Sequence, residues 1–318
     1  MEQFFLSIVI PCYNVENYVA RCISSCININ RFFDYEIIAV DDGSTDNTYY
    51  ELEILKKQYG NTIKIIKQQN KGLSGARNKG IINSTGKYIM FLDSDDYLVK
   101  GWDKIIYEAI RNNNQDLFVF NHYKINKEKQ ILSLKHNELG DISSSNFNDI
   151  VKVIFTRNYN KSNWSAWGKL FKRDIIMSNN IWFDEKNYGS EDLKFCYEYS
   201  LFSKSVSYCE KPLVYYDISN FSSITHNINQ KTFISLSNVL DYIYNSIPSY
   251  NYNSKSKRIL YSCISIWQLY IIKNSSHNEE IKIHFNCFFK SKKLKLMLAG
   301  LILKIIGIDV FKKIFKRR

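Results

Sequence analysis

The sequence predicts an α/β fold built on a mostly parallel sheet, and three observations carry that prediction. Apolar, β-branched runs alternate with stretches of helical spacing from residue 5 to residue 100. Three of the four runs stop at polar, turn-forming clusters: Pro11-Cys12-Tyr13-Asn14, Asp41-Asp42-Gly43-Ser44 and Asp93-Ser94-Asp95-Asp96. Beyond about Thr232 the pattern turns helical to the end.

The elements follow in order. Phe5 to Ile10 is a buried strand stopped by Pro11, and Asn17 to Ile27 has helical spacing. Glu36 to Val40 is a second strand, Thr48 to Tyr59 a helix and Thr62 to Ile66 a third strand. Lys71 to Ile82 opens with glycines and continues as a helix, and Tyr88 to Leu92 is a fourth strand. Residues 112–160 are polar, rich in Asn, Lys and Ser, and weakly patterned. Asn163 to Lys172 is aromatic, and Glu191 to Phe202 is an amphipathic helix with Ser190 available as N-cap. In a sheet wound this way ligands bind just past the carboxyl ends of the strands, which is where the three polar clusters fall.

Composition narrows the class. The chain has 318 residues, 45% apolar and 23% charged, with 12 glycines and 3 prolines, which excludes collagen-like, Pro-rich and disordered readings. The net charge of +12 is concentrated, because residues 290–318 hold ten Lys/Arg and one acid, or +9, leaving about +3 for the rest. A near-neutral body with a basic tail does not describe a nucleic-acid binder. The seven cysteines are scattered without a C-x-x-C, as expected of reduced thiols in a cytoplasmic protein. The N-terminal segment lacks the pattern of a signal peptide, and no uncharged apolar run approaches the ~18 residues of a membrane span.

Four segments carry possible chemistry. Asp93 and Asp95, two apart at a strand end, share a side if the chain is still extended there. Such a pair can hold a hard divalent cation that also binds diphosphate oxygens, or it can be a turn cluster. Asp41 to Asp46 can accept hydrogen bonds from a nucleobase or ribose, or can serve as a turn and helix cap. Asn70 to Asn78 sets two glycines, Lys71 and Arg77 before a helix, which suits phosphate without matching a Walker loop or a G-x-G-x-x-G. Glu191-Asp192 opens a helix, where ionised carboxylates are favoured and one could act as a general base.

Taken together, Ser7–Asn14, Ala39–Asp46, Asn70–Asn78, Gly86–Asp96, Trp167–Phe171 and Glu191–Asp192 resemble, in order and spacing, the family 2 glycosyltransferases of GT-A fold. The likeness covers about residues 5–225 and is nearest in style to bacterial capsule, exopolysaccharide and lipopolysaccharide transferases. It implies a Rossmann-like nucleotide-diphospho-sugar fold with a helical C-terminal extension. Residues 1–225 would be the transferase domain, with a nucleotide-sugar half (1–100) and an acceptor half (101–225), and residues 226–318 the helical region. Pro11, Tyr13, Asn14 and Asp42 would contact the nucleotide, with Tyr13 near the base and Asp42 hydrogen-bonding it. Lys71 and Arg77 would lie near ribose and phosphates, with Ser94 among the nucleotide-sugar contacts. Asp93 and Asp95 would be the D-x-D, Asp95 the direct ligand of Mn²⁺ or Mg²⁺. Asp192 would be the general base with Glu191 beside it in the acceptor site, and Trp167 and Lys169 would line the acceptor side.

The implied activity is inverting, metal-dependent transfer of a hexose or N-acetylhexosamine from a UDP-sugar to a saccharide, lipid-linked, in surface polysaccharide synthesis. Two other classes compete. A sugar nucleotidyltransferase would need a G-x-G-T-R type start, which is missing, and a membrane-bound scaffold with a decayed site would not need Asp93, Asp95, Asp192 and Arg77. One departure stands out: the family often has an aromatic-Arg segment before S-I-T, whereas here Tyr215-Tyr216 is followed by Asp217. His226, after Ser223-Ile224-Thr225, could add a metal or phosphate contact. In the tail, Ile308, Val310, Phe311, Ile314 and Phe315 share one arc of a helical wheel and basic residues the other, an interfacial pattern. It predicts peripheral attachment of residues 290–318 to the cytoplasmic face of an anionic membrane.

Overall fold

The computed structural model describes residues 5–28, 31–111, 114–126, 128, 131–134, 142–144, 147–155, 164–187, 189–220, 228–275 and 281–315. The chain opens with β1 (Leu6–Cys12), α1 (Val19–Ser25), β2 (Tyr35–Asp41), α2 (Thr48–Tyr59), β3 (Ile63–Lys67), α3 (Gly72–Asn83) and β4 (Tyr88–Phe91). Then come β5 (Tyr97–Leu98), α4 (Trp102–Ile110), β6 (Leu117–Ile125), β7 (Ile131–Leu134), β8 (Ile142–Ser144) and α5 (Phe147–Phe155). They are followed by β9 (Lys169–Lys172), α6 (Arg173–Ser178), α7 (Glu191–Phe202) and β10 (Val206–Asp217). Four helices close the described chain: α8 (Gln230–Ser246), α9 (Ser254–Asn274), α10 (Phe285–Lys290) and α11 (Leu294–Phe315).

One sheet runs β3-β2-β1-β4-β9-β6-β10-β5, with β7 beside β6 and β8 beside β10. The strands β3, β2, β1 and β4 are parallel, and β1 registers Ile8 with both Ile37 and Met90. The order reverses between β1 and β4, so the crevice past their carboxyl ends is the expected ligand position. β9 then pairs antiparallel with both β4 and β6 and turns the parallel half into a mixed sheet.

Every residue of β1, β2 and β4 is buried, as continuous apolar runs in a two-sided sheet require. α3 packs hard against β1 because residue 80 is glycine: a Cβ there would lie 2.2 Å from Val9 Cγ1. That close approach sets the height of Arg77, one turn earlier on α3. On that same face of the sheet one core cluster joins Val9, Ile89 and Phe91 to Ile81 of α3 and to Leu193 and Phe195 of α7. It continues to Leu236 and Leu240 of α8 and Leu260 and Ile264 of α9. The first two C-terminal helices therefore share the core of the sheet. α9 opens on an N-cap, Asn253, whose side chain accepts from Ser256 N, and α8 on a capping box between Asn229 and Thr232.

The last helix bends at Gly307, whose φ of +76° is a left-handed conformation that glycine adopts without penalty. Phe311, on the arc assigned above to lipid, is buried with Ile272, Phe288, Leu296 and Leu303, and Ile308 packs against them. Among the described side chains of this helix, the large exposed apolar ones are Leu294, Leu298, Leu301 and Ile305.

Candidate active site

The site is assembled around a buried arginine. Arg77 projects from α3 and is 1% exposed. Its Nη2 donates to Asp93 Oδ1 at 2.7 Å and its Nη1 to Asp192 Oδ1 at 2.6 Å, with Glu191 Oε1 at 3.6 Å from Nη1. One planar fork on α3 thus ties the end of β4 to the start of α7, the latter 115 residues along the chain from Arg77. Burial works against the arginine's charge, but Asp192, Asp93 and Glu191 outweigh it and hold its pKa above the ordinary value. The resemblance implies a place for Arg77 near ribose and phosphates; in the structure its two terminal nitrogens bond Asp93 and Asp192.

The two carboxylates at the head of α7 are held differently. Asp192 accepts from Ala166 N at 2.8 Å through Oδ2 as well as from Arg77. Burial nevertheless pushes its pKa up, against the pull of Arg77. Glu191 is pushed up to about 7, by burial first and then by the charge of Asp192, and its buried Oε2 has no hydrogen-bond partner. Ser190 does occupy the N-cap position, but its hydroxyl bonds Ser235 Oγ at 2.6 Å and not the helix.

The acidic strand end is similarly built. Asp95 Oδ2 accepts from Asn220 Nδ2 at 2.9 Å, and burial and the neighbouring Asp93 raise its pKa. Ser94 is buried between the two. Asp96 is buried and lies well above the usual carboxylate range, through burial and then the charges of Asp95 and Asp93; it accepts from Asp217 N. Asp217, the departure from the family pattern, pairs with Arg21 Nη2 at 2.9 Å. The same nitrogen donates to the Asp95 carbonyl at 2.7 Å. Arg21 on α1, unmarked in the sequence, therefore supplies the cation here and ties the D-x-D loop to the end of β10.

At the neighbouring strand ends, Asp42 is buried and its Oδ1 accepts from Gln68 Nε2 at 2.7 Å and Lys71 N at 2.9 Å. Asn14 stands at φ +52° and its Oδ1 accepts from Thr45 N, joining the loops after β1 and β2. Pro11 is buried inside β1, whereas Tyr13 beyond it is 48% exposed, leaving an open aromatic face at the crevice. Trp167 stacks on Tyr216 and meets His122 edge-on. Lys169, expected on the acceptor side, is buried, with its ammonium on the Ser165 carbonyl at 2.6 Å and its pKa lowered by burial. It supports the turn that presents Ala166 to Asp192 and does not form an open wall. His226 lies outside the described residues.

Among the described residues no three His, Cys, Asp or Glu side chains gather as a self-sufficient metal cage. The donors that are present suit a cation shared with substrate: hard carboxylate oxygens at Asp93 and Asp95, next to an orphaned buried oxygen, Asp96 Oδ2. Magnesium-type ions are commonly held by one or two carboxylates plus substrate phosphates, so this donor set fits.

Comparisons with known proteins bear on the family and the fold. The family model described as "Glycosyl transferase family 2" matches residues 7–178. Glycosyltransferase GlyA of Streptococcus pneumoniae is 34% identical over 67% of this chain, which spans 30% of GlyA. Cholesterol galactosyltransferase of Borreliella burgdorferi is 28% identical over 86% of this chain and 77% of its own length. Among solved structures, Staphylococcus aureus TarS in complex with UDP-GlcNAc superposes with a TM-score of 0.70 at 18% identity, covering 96% of this chain and 89% of that one. The shared architecture is the GT-A fold.

Proposed function

The chain belongs to glycosyltransferase family 2, and on that premise we propose that it transfers a hexose or N-acetylhexosamine from a UDP-sugar to a saccharide acceptor, with inversion, in cell-surface polysaccharide synthesis. The observation that supports this best is the Arg77 fork, which sets Asp93 at the nucleotide-side strand end and Asp192 at the acceptor-side helix start a single side chain apart. The similarity to TarS solved with UDP-GlcNAc favours a UDP-sugar, and relatives of this chain include a poly(ribitol-phosphate) beta-glucosyltransferase of Bacillus spizizenii, 34% identical over 64% of this chain, and the cholesterol galactosyltransferase.

In this reading residues 1–100 bind the donor, residues 101–225 the acceptor, and residues 226–318 form the helical region. Tyr13 takes the base, and Asp42, fixed by Gln68 and the Lys71 amide, accepts from it. Asp95 and Asp93 would hold Mn²⁺ or Mg²⁺. When bound, the cation would stabilise negative charge on the leaving diphosphate without needing a proton. Asp192 accepts the proton of the attacking hydroxyl, and Arg77 and Ala166 N fix the direction in which its carboxylate points. Glu191, titrating near neutrality, sits beside it. In-line attack opposite the diphosphate converts an α-linked donor to a β-glycoside. Proton NMR of the product tests this: a β linkage is expected, and a retained α linkage would refute inversion.

The protein would work at a membrane surface. No helix of the described residues is long and apolar enough to cross one. The exposed Leu294, Leu298, Leu301 and Ile305 follow a spacing of four, three and four, which places them on one face of α11. Lys290, Lys292, Lys293 and Lys295 stand at the start of that face. An apolar helical face with adjacent lysines suits the interface of an anionic bilayer.

A further inference from the structure

A cavity lies outside the crevice, among the C-terminal helices. It measures about 870 Å³, within the usual range for a small-molecule or cofactor site, and is bounded by α5, α8, α9 and the start of α11. Its walls are apolar and aromatic, with Phe155, Trp164, Phe233, Leu236, Ile266 and Trp267 among them. Trp164 and Trp267 meet edge-on at 5.4 Å. Its described charged lining has one sign: Lys255, Arg258, Lys273, Lys292 and Lys293 border it, and no Asp or Glu among the described residues does. An apolar hollow with such a cationic border is complementary to a molecule that is hydrocarbon at one end and anionic at the other.

We propose that this cavity takes the hydrocarbon chain of a lipid phosphate, with the phosphate held by Arg258 and Lys293 at the border, and that this lipid is the anchor of the acceptor. The second half of the proposal rests on the transferase reading above; the first does not. Two chain connections tie the cavity to the site. Trp164 in its wall is two residues from Ala166, whose amide holds Asp192, and Gly189, also in its lining, is three residues from Asp192. Those separations limit the Cα distances to at most about 7 and 11 Å. These connections put the cavity wall beside the backbone that carries and holds the general base, so in the proposed arrangement a saccharide carried on a lipid seated here extends toward Asp192. α11 supplies the route from a bilayer: Leu296 lines the cavity, and Leu294 and Leu298 on either side of it are exposed.

The test uses the full chain and dodecyl phosphate below its micellar concentration, read by tryptophan fluorescence, because Trp164 and Trp267 face the cavity. Saturable binding is expected. It should weaken at least tenfold in an Arg258→Glu, Lys293→Glu double variant, whose substitutions are at exposed positions. It should also weaken in Cys263→Trp, which fills the wall. Dodecanol should bind at least tenfold more weakly than dodecyl phosphate, and inorganic phosphate should not displace it. No saturable binding, equal affinity for dodecanol, or affinity unchanged in both variants would overturn the proposal. UDP-induced thermal stabilisation, measured on the same samples, separates the two readings: if it persists while lipid binding is absent, only the lipid site fails. If UDP stabilisation is also absent, the transferase reading fails with it.

Discussion

Replacing Arg77 by methionine should be among the most damaging single changes in the nucleotide half. The substitution keeps roughly the length of the side chain and removes the fork. Asp93, Asp192 and Glu191 then face one another with no cation, and two of them lose hydrogen bonds of 2.7 and 2.6 Å. Breaking a buried ion pair by removing one partner costs about 3–5 kcal/mol. Because one guanidinium serves two carboxylates here, the upper half of that range is expected, with a fall in Tm on the order of 10 °C. Burial already raises the pKa values of Glu191 and Asp192, so the loss should depend on pH. Protonating one of them relieves the repulsion, and the deficit of the variant should be smaller at pH 5.5 than at pH 7.5. Urea unfolding at both values measures it. Arg77→Lys should recover part of the stability through its charge but not the activity, because an ammonium is not a two-armed fork. A methionine variant within about 1 kcal/mol of wild type at pH 7.5 would refute the clamp.

Three further outcomes follow from the same geometry. Glu191 is raised to about 7 from an ordinary 4.5, so the native state keeps its proton where the unfolded chain has lost it. The stability this contributes is full below about 4.5 and lost as pH rises through 7. Glu191→Gln should therefore gain on wild type between pH 5 and pH 8, by on the order of 3 kcal/mol, and parallel stability profiles would contradict the shift. Gly80→Ala should cost about 1–3 kcal/mol, because the new methyl overlaps Val9 and lifts α3 from β1; unchanged urea midpoints would show that the helix yields freely. Leu298→Glu with Ile305→Glu should abolish sedimentation with anionic vesicles at unchanged Tm, since both side chains are exposed, whereas cosedimentation equal to wild type would exclude this face.

The nucleotide half was legible because apolar runs that end in turn residues specify a buried parallel strand by themselves. β1, β2 and β4 lie within a residue or two of Phe5–Ile10, Glu36–Val40 and Tyr88–Leu92. β6 was less so: Leu117 to Phe120 is a plain apolar run, but it opens a segment whose polar composition masks it. The twelve-residue β10 mixes charged and aromatic residues and is least buried at Lys211, where its register with β6 is interrupted. For the site, the carboxylates were visible at their strand and helix ends, whereas the cations that organise them were not. Arg77 looked like a phosphate ligand beside its glycines, and only the tertiary fold shows Asp192 within its reach. Arg21 lies on a short helix with no motif around it, and its partner Asp217 is almost two hundred residues away. The same limit applies to Lys169: nothing in W-G-K-L-F tells whether that ammonium points to solvent or to the Ser165 carbonyl. In the tail, a helical wheel identifies an apolar arc but not which arc the rest of the protein covers, and Phe311 proved to be covered.

The central claim is that the strand end at Asp93–Asp95 binds a nucleotide diphosphate together with a divalent cation. Thermal unfolding with UDP, with and without Mn²⁺, compares wild type with Asp95→Asn most directly. A ligand at ~100 times its Kd stabilises by about 2.7 kcal/mol. The account predicts a Mn²⁺-dependent rise of several degrees in wild type that disappears in Asp95→Asn. An equal rise in EDTA, an equal rise in the variant, or no rise with UDP at all would contradict it.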